Sequence, residues 1–216
     1  MAEHTSISMA PHSPVFLGLL LAMLATSMHA SPTKDGMPFH VAADKFLWAC
    51  CAKMTEAAIC YDSLLPRARS FEGNFFKVTT AASIIAYEQL RSFVADLRSL
   101  LRGGTGLGEF VDRSLESCVE YLEDVVLFNE DDVLASLRGL ETVEGRKGKH
   151  ATYDLGRVST GVDEVATSIN LVCMDNFSWW GNGILTSPAG KKMVTGNVTM
   201  TLYGGIALYL VASIKL

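Results

Sequence analysis

The sequence predicts an all-α fold, an antiparallel four-helix bundle entered through an N-terminal helical hairpin. Apolar residues recur at three- and four-residue steps in four separate segments. Short connections divide those segments, and no stretch sustains the period-two alternation of a strand. The β-branched clusters Val194-Thr195 and Val198-Thr199 are the local exceptions. With 216 residues and 49% hydrophobic content the chain can bury one substantial core, so one domain is expected.

Residues 1–30 read as a secretory signal. The apolar run Val15 to Ala25 is too short to span a bilayer, and small and polar residues follow it. Cleavage fits after Ala30 or after Ser27. No Lys or Arg precedes the run, and a buried or membrane-anchoring N-terminal helix is the alternative. Residues 31–45 read as a polar linker and residues 46–216 as the helical domain. The net charge of −5 becomes −4 once Glu3 leaves with the leader, and no basic run or aromatic-basic stripe occurs, which argues against nucleic acid as a partner.

From Phe46 to Leu65 the apolar spacing is mixed and holds three cysteines, which reads as a short helical hairpin. From Val78 to Leu101, Val78, Ala82, Ile85, Leu90, Phe93, Leu97 and Leu101 form one stripe with charged residues between them. Arg102 and the run from Gly103 to Gly106 are its stop signal. A second helix carries Val111, Leu115, Cys118, Leu122 and Val125 and can continue to Leu140. Glu141 to Gly156, with three glycines among charges and no periodicity, reads as a flexible connection. Spacing resumes at Val158, Val162, Val165, Ile169 and Val172, placing Cys173 where it could meet Cys118. A loop from Gly181 to Gly190 then leads to a last helix with Val194, Val198, Leu202, Ile206 and Leu210. The apolar C-terminal residues from Gly204 fit either a core helix or a lipid-anchor tail; helix period and the lack of a polar spacer favour the core.

Catalysis needs a poised acid, base, nucleophile or metal. After the leader only His40 and His150 remain, both in segments read as loops, and no Ser-His-Asp or Cys-His motif is present. Cys50, Cys51 and Cys60 have no downstream pair at zinc-ligand spacing. Gly103 to Gly108 follows a helix and lacks the Lys-Ser or Lys-Thr ending of a phosphate loop. The acidic cluster Glu120, Glu123, Asp124, Glu130, Asp131 and Asp132 lacks a calcium-loop pattern and reads as a solvated face that could contribute to a partner surface. No catalytic residue, metal or cofactor is therefore expected. The five cysteines allow two disulfides and one leftover thiol in an oxidising compartment, or five reduced core residues elsewhere. Asn176-Phe177-Ser178 and Asn197-Val198-Thr199 are glycosylation acceptors if the chain is exported.

The cysteine flanks carry a resemblance. Cys51-Ala-Lys-Met-Thr-Glu-Ala-Ala-Ile-Cys60, followed by Tyr61-Asp62-Ser63-Leu64, has the opening spacing of the plant invertase and pectin methylesterase inhibitor family. Ser114 to Val126 around Cys118, and Cys173-Met-Asp-Asn-Phe177, resemble the third and fourth cysteine stretches of that family. The resemblance covers roughly Phe46 to Leu216. It implies disulfides Cys51–Cys60 and Cys118–Cys173, with Cys50 left as a free or intermolecular thiol, although Cys50 could replace Cys51 with little movement. Ala57-Ala58 stands where the family has Tyr-Pro and Gly161 where it has Trp, and Glu141 to Gly156 looks inserted.

The resemblance implies a secreted, non-catalytic inhibitor acting in the apoplast or cell wall and free of the membrane in its mature form. Its expected partner is pectin methylesterase, covered at the substrate cleft in a reversible complex. Gly106 to Phe110 occupies the connection where some members carry the Pro-Lys-Phe motif linked to invertase binding, and that motif is absent. Acid invertase is the alternative target, and a non-inhibitory apoplastic binding module the alternative role.

Overall fold

The computed structural model describes residues 39–174 and 182–216. The leader reading of residues 1–30 and the acceptor Asn176 lie outside the described residues. The chain enters through α1 (Phe39–Cys51) and α2 (Ala57–Leu64), followed by a 3-10 turn, Leu65–Phe71. The helix thus begins inside the stretch read as a polar linker, because Ala42-Ala43 beside Asp44-Lys45 favours helix without an apolar period. It also places His40 on a helix instead of in a loop. Leu47 and Cys51, one turn apart, share the buried face of α1 at 0% exposure.

Four long helices follow. Glu72 and Gly73 take positive φ values of 52° and 72°, reversing the chain into α3 (Phe75–Gly103). Asn74 caps α3, its side-chain oxygen accepting the Phe76 N–H at 2.9 Å. The glycine run ends the helix as the sequence predicts. Gly104, Gly106 and Gly108 all have positive φ, and Asp112 ties the turn by accepting the Thr105 N–H at 3.2 Å. Next, α4 (Glu109–Leu140) runs unbroken through the full predicted stripe.

The connection after α4 is ordered into helix, correcting the expectation of a flexible segment over Glu141 to Gly156. Thr142 caps a short helix, α5 (Val143–Lys147), and α6 (Ala151–Ser168) starts soon after, with exposed His150 at its N-terminus. The side chain of Thr142 accepts the Gly145 N–H at 2.9 Å, and a Cβ at Gly145 would sit 2.0 Å from the Gly139 carbonyl oxygen. Caps and close approaches of this kind leave no trace in apolar periodicity. A π-helical turn, Ile169–Met174, extends α6.

The segment read as a loop from Gly181 to Gly190 likewise holds α7 (Asn182–Leu185). The last helix, α8 (Pro188–Ala212), starts behind the Ser187 cap with Pro188 in its first turn.

Helices α3, α4, α6 and α8 pack in that cyclic order, each antiparallel to its neighbours, so α4 and α8 occupy opposite corners. Their shared core includes Leu90, Leu97, Leu115, Leu122, Leu137, Val158, Val162, Val165 and Leu210, all at 0% exposure. Three glycines let neighbouring elements close up: Gly204 against Ala166, Gly196 against the Phe93 ring, and Gly161 against Val133. Across the bundle the buried Tyr87 hydroxyl donates to the Gly161 carbonyl at 3.1 Å. Burial, with Glu130 and Glu164 nearby, pushes the Tyr87 pKa upward. A Cβ at Gly161 would lie 2.5 Å from a Val133 methyl and 3.2 Å from the Tyr87 hydroxyl, so the close packing here requires glycine.

Two hydroxyls in the core, Ser83 Oγ and Ser168 Oγ, have no hydrogen-bond partner among the described residues. A buried donor without an acceptor costs about 1 kcal/mol or more. Ser83→Ala and Ser168→Ala should each raise the thermal midpoint by about 3 °C, read by scanning calorimetry. A fall in either midpoint would show that the hydroxyl is satisfied in solution.

Candidate functional site

Both cystine bridges are formed. Cys51 pairs with Cys60 across the hairpin at a Cα–Cα distance of 5.7 Å, and Cys118 on α4 pairs with Cys173 in the π-helical turn at 5.2 Å. Cys50 is the free thiol, half-buried, and burial pushes its pKa up to about 11. That holds it in the unreactive thiol form at neutral pH. Asn197 lies inside α8, with its side-chain oxygen buried and unpartnered among the described residues. The hydroxyl of Thr199 in the same acceptor motif donates to the Thr195 carbonyl at 2.9 Å.

The acidic cluster of α4 divides into two sets. Along the helix edges the carboxylates are tied to neighbouring helices: Glu123 to Arg98 and Glu130 to Arg91 on α3, and Asp132 to Arg157 on α6. The Glu123 contact uses both carboxylate oxygens, and the hydrogen bond from Arg98 holds the Glu123 pKa below the usual carboxylate range. Along the outward face Glu120, Asp124 and Asp131, joined by Glu116 from the turn before the cluster, form no ion pair among the described residues, and all are exposed.

Apolar side chains stand between these unpaired carboxylates. Leu127 is 71% exposed, Phe128 67% and Tyr121 38%. Steps of three and four residues place Glu120, Asp124, Leu127 and Asp131 in one row and Tyr121, Asp124 and Phe128 in the next. An open groove of about 490 Å³, lined by Arg98, Arg102, Glu116 and Glu120, runs along the α3 side of the same face. The result is a helical face on which exposed aromatic and aliphatic side chains stand among carboxylates, with Glu116 and Glu120 on its α3 side close enough to Arg98 to act on its charge. Such a face suits a partner with an apolar depression and a basic rim.

The acidic members of this face are visible in the sequence as a charged cluster, whereas its apolar members lie hidden in an unbroken apolar run. The signal was present: Val125-Val126-Leu127-Phe128 is a run of four apolar residues on a helix whose buried stripe takes Leu122 and Val125. The stripe has no room for Leu127 and Phe128, which must therefore point outward.

No family model matches the chain, and no solved structure matches it. An uncharacterized protein of Oryza sativa subsp. japonica is 37% identical over 83 residues, which cover 36% of this chain. The match spans only 35% of that relative's length. The 21 kDa protein of Daucus carota is 26% identical over 170 residues, covering 77% of each chain. The chain is thus similar to plant proteins, and to one of them over most of its length.

Proposed function

We propose that the protein is a secreted, non-catalytic inhibitor of pectin methylesterase that lays the outer face of α4 over the enzyme's substrate cleft. The observation that carries the reading is that face, with Tyr121, Leu127 and Phe128 exposed among four unpaired carboxylates. A monomeric protein has little reason to leave large apolar side chains grouped on a rigid helix unless a partner covers them. The resemblance carried by the flanks of Cys51, Cys60, Cys118 and Cys173 points toward pectin methylesterase or acid invertase, the absence of a Pro-Lys-Phe motif over Gly106 to Phe110 favours the former, and two formed disulfides suit an oxidising extracellular compartment. An interface of ordinary size, roughly 1,600 Å² in total, would block a polysaccharide cleft.

The test is inhibition of a plant pectin methylesterase and a plant acid invertase assayed in parallel. Pectin methylesterase alone should be inhibited. Exchanging Leu127 and Phe128 together for serine should weaken inhibition by about 30-fold or more, the loss expected for central apolar anchors. Asp124→Lys should slow association and reduce its salt dependence. Inhibition of invertase alone would transfer the reading to that enzyme. If neither enzyme is slowed by the folded, oxidised protein, the inhibitor reading falls and a non-inhibitory binding module takes its place.

A further inference from the structure

Helix α8 carries no charge from Met193 to Ile214, yet its outer side is open, with Val194 40% exposed and Val198 61%. A helix without a charged face is normally enclosed. On that open side lies Asn197-Val198-Thr199, an acceptor sequence for N-linked glycans. The Asn197 amide is unspent. Its oxygen is buried without a partner, whereas its nitrogen, the atom to which a glycan is joined, makes no hydrogen bond and keeps access to solvent.

Asn197 stands at one end of an open groove of about 560 Å³ that follows α8 past Leu202 and Gly205 to Tyr209. A Cβ at Gly205 would meet nothing within 4 Å, so the α8 wall of the groove is clear at this point. The opposite wall is the α1–α2 connection, which brings Lys53 and Glu56. Charged groups facing Leu202 and Tyr209 suit neither lipid nor a purely apolar partner. They suit a sugar ring, which presents hydroxyls at its edge and C–H bonds on its face.

We infer that Asn197 carries an N-linked glycan whose first sugars lie in this groove and cover the open side of α8. The inference rests on export, as the inhibitor reading does. The donor is an oligosaccharide joined to a lipid through a diphosphate. A bond forms between the Asn197 side-chain nitrogen and the anomeric carbon, the bond from that carbon to the diphosphate oxygen breaks, the lipid diphosphate leaves, and the displaced amide proton passes through a base of the transferase to solvent. In the folded chain the Thr199 hydroxyl of the acceptor sequence donates to the Thr195 carbonyl at 2.9 Å within the helix, so transfer belongs to the entering chain before α8 forms. Because α8 and α4 occupy opposite corners of the bundle, the glycan leaves the α4 face clear.

The experiment is expression in plant cells, once with residues 1–30 in place and once with a proven secretory signal in their stead, followed by amidase release of N-glycans in heavy-oxygen water and peptide mapping. Asn197 should return as Asp carrying the heavy oxygen in most of the secreted chain from both. Thr199→Val, which keeps the amide but removes the acceptor sequence, should abolish the label. Releasing the glycan from the folded protein should raise anilinonaphthalene sulfonate fluorescence about twofold or more as the side of α8 is uncovered, and Val198→Ser should blunt the rise. A secreted chain bare at Asn197 overturns the inference alone, and a two-chain mass for it in light scattering would give the face to a second copy. Retention inside the cell, without glycan, of the chain bearing residues 1–30 overturns the inference together with export. A labelled Asn197 with unchanged dye fluorescence overturns the seating of the glycan in the groove.

Discussion

Replacing Cys118 and Cys173 together by alanine should lower the unfolding free energy by about 4 kcal/mol. The bridge joins residues 55 apart in sequence, whereas Cys51–Cys60 spans 9. Loop-closure entropy grows with the logarithm of that separation, so removing the hairpin bridge should cost about 3 kcal/mol. The two bridges also hold different things. Cys118 sits in the third turn of α4, and Cys173 lies in the π-helical turn that extends α6, so this bridge fastens two bundle neighbours directly. The hairpin bridge closes only the α1–α2 connection. Urea unfolding of the two double-alanine variants reads the difference. If the hairpin variant is hit as hard as the bundle variant, the hairpin is integral to the cooperative core.

The contrast among the helices explains what sequence reading could and could not reach. Helices α3 and α4 each carry one apolar stripe, and both were legible nearly to the residue, including the glycine stop after Arg102. The π-helical turn was not legible, because wide turns shift phase without changing composition. Cys173 nevertheless reaches Cys118 as its place at the end of the stripe suggested. The choice between Cys50 and Cys51 rested on family spacing in the sequence. In the fold it follows from helix phase: Cys51 lies one turn beyond Leu47 on the buried face, while Cys50 lies to one side. Over Glu141 to Gly156 the order comes from the Thr142 cap and the Gly145 approach, which are local contacts that periodicity does not register. The candidate face was half legible, its acids read as a solvated cluster and its apolar residues hidden in an unbroken run.

Gly204→Val should cost about 3 kcal/mol, more than any other single substitution considered for the bundle. An added Cβ at Gly204 would lie 2.6 Å from the Cα of Ala166 and 2.8 Å from its backbone nitrogen. A flexible side chain can turn away from such a contact, but a helix backbone cannot. Relief therefore requires α6 and α8 to move apart, loosening contacts around Val162, Val165, Ala207 and Leu210, which are all fully buried. Gly205, the next residue, is the internal control. Its added Cβ would meet nothing, so Gly205→Ala should match or slightly exceed the parent in stability through helix propensity alone. Both glycines cost the helix similar backbone entropy, so any difference between the two alanine or valine variants isolates the packing contribution. Thermal unfolding of the pair measures it, and equal midpoints for Gly204→Val and Gly205→Val would mean that α6 and α8 are not in close contact at this crossing.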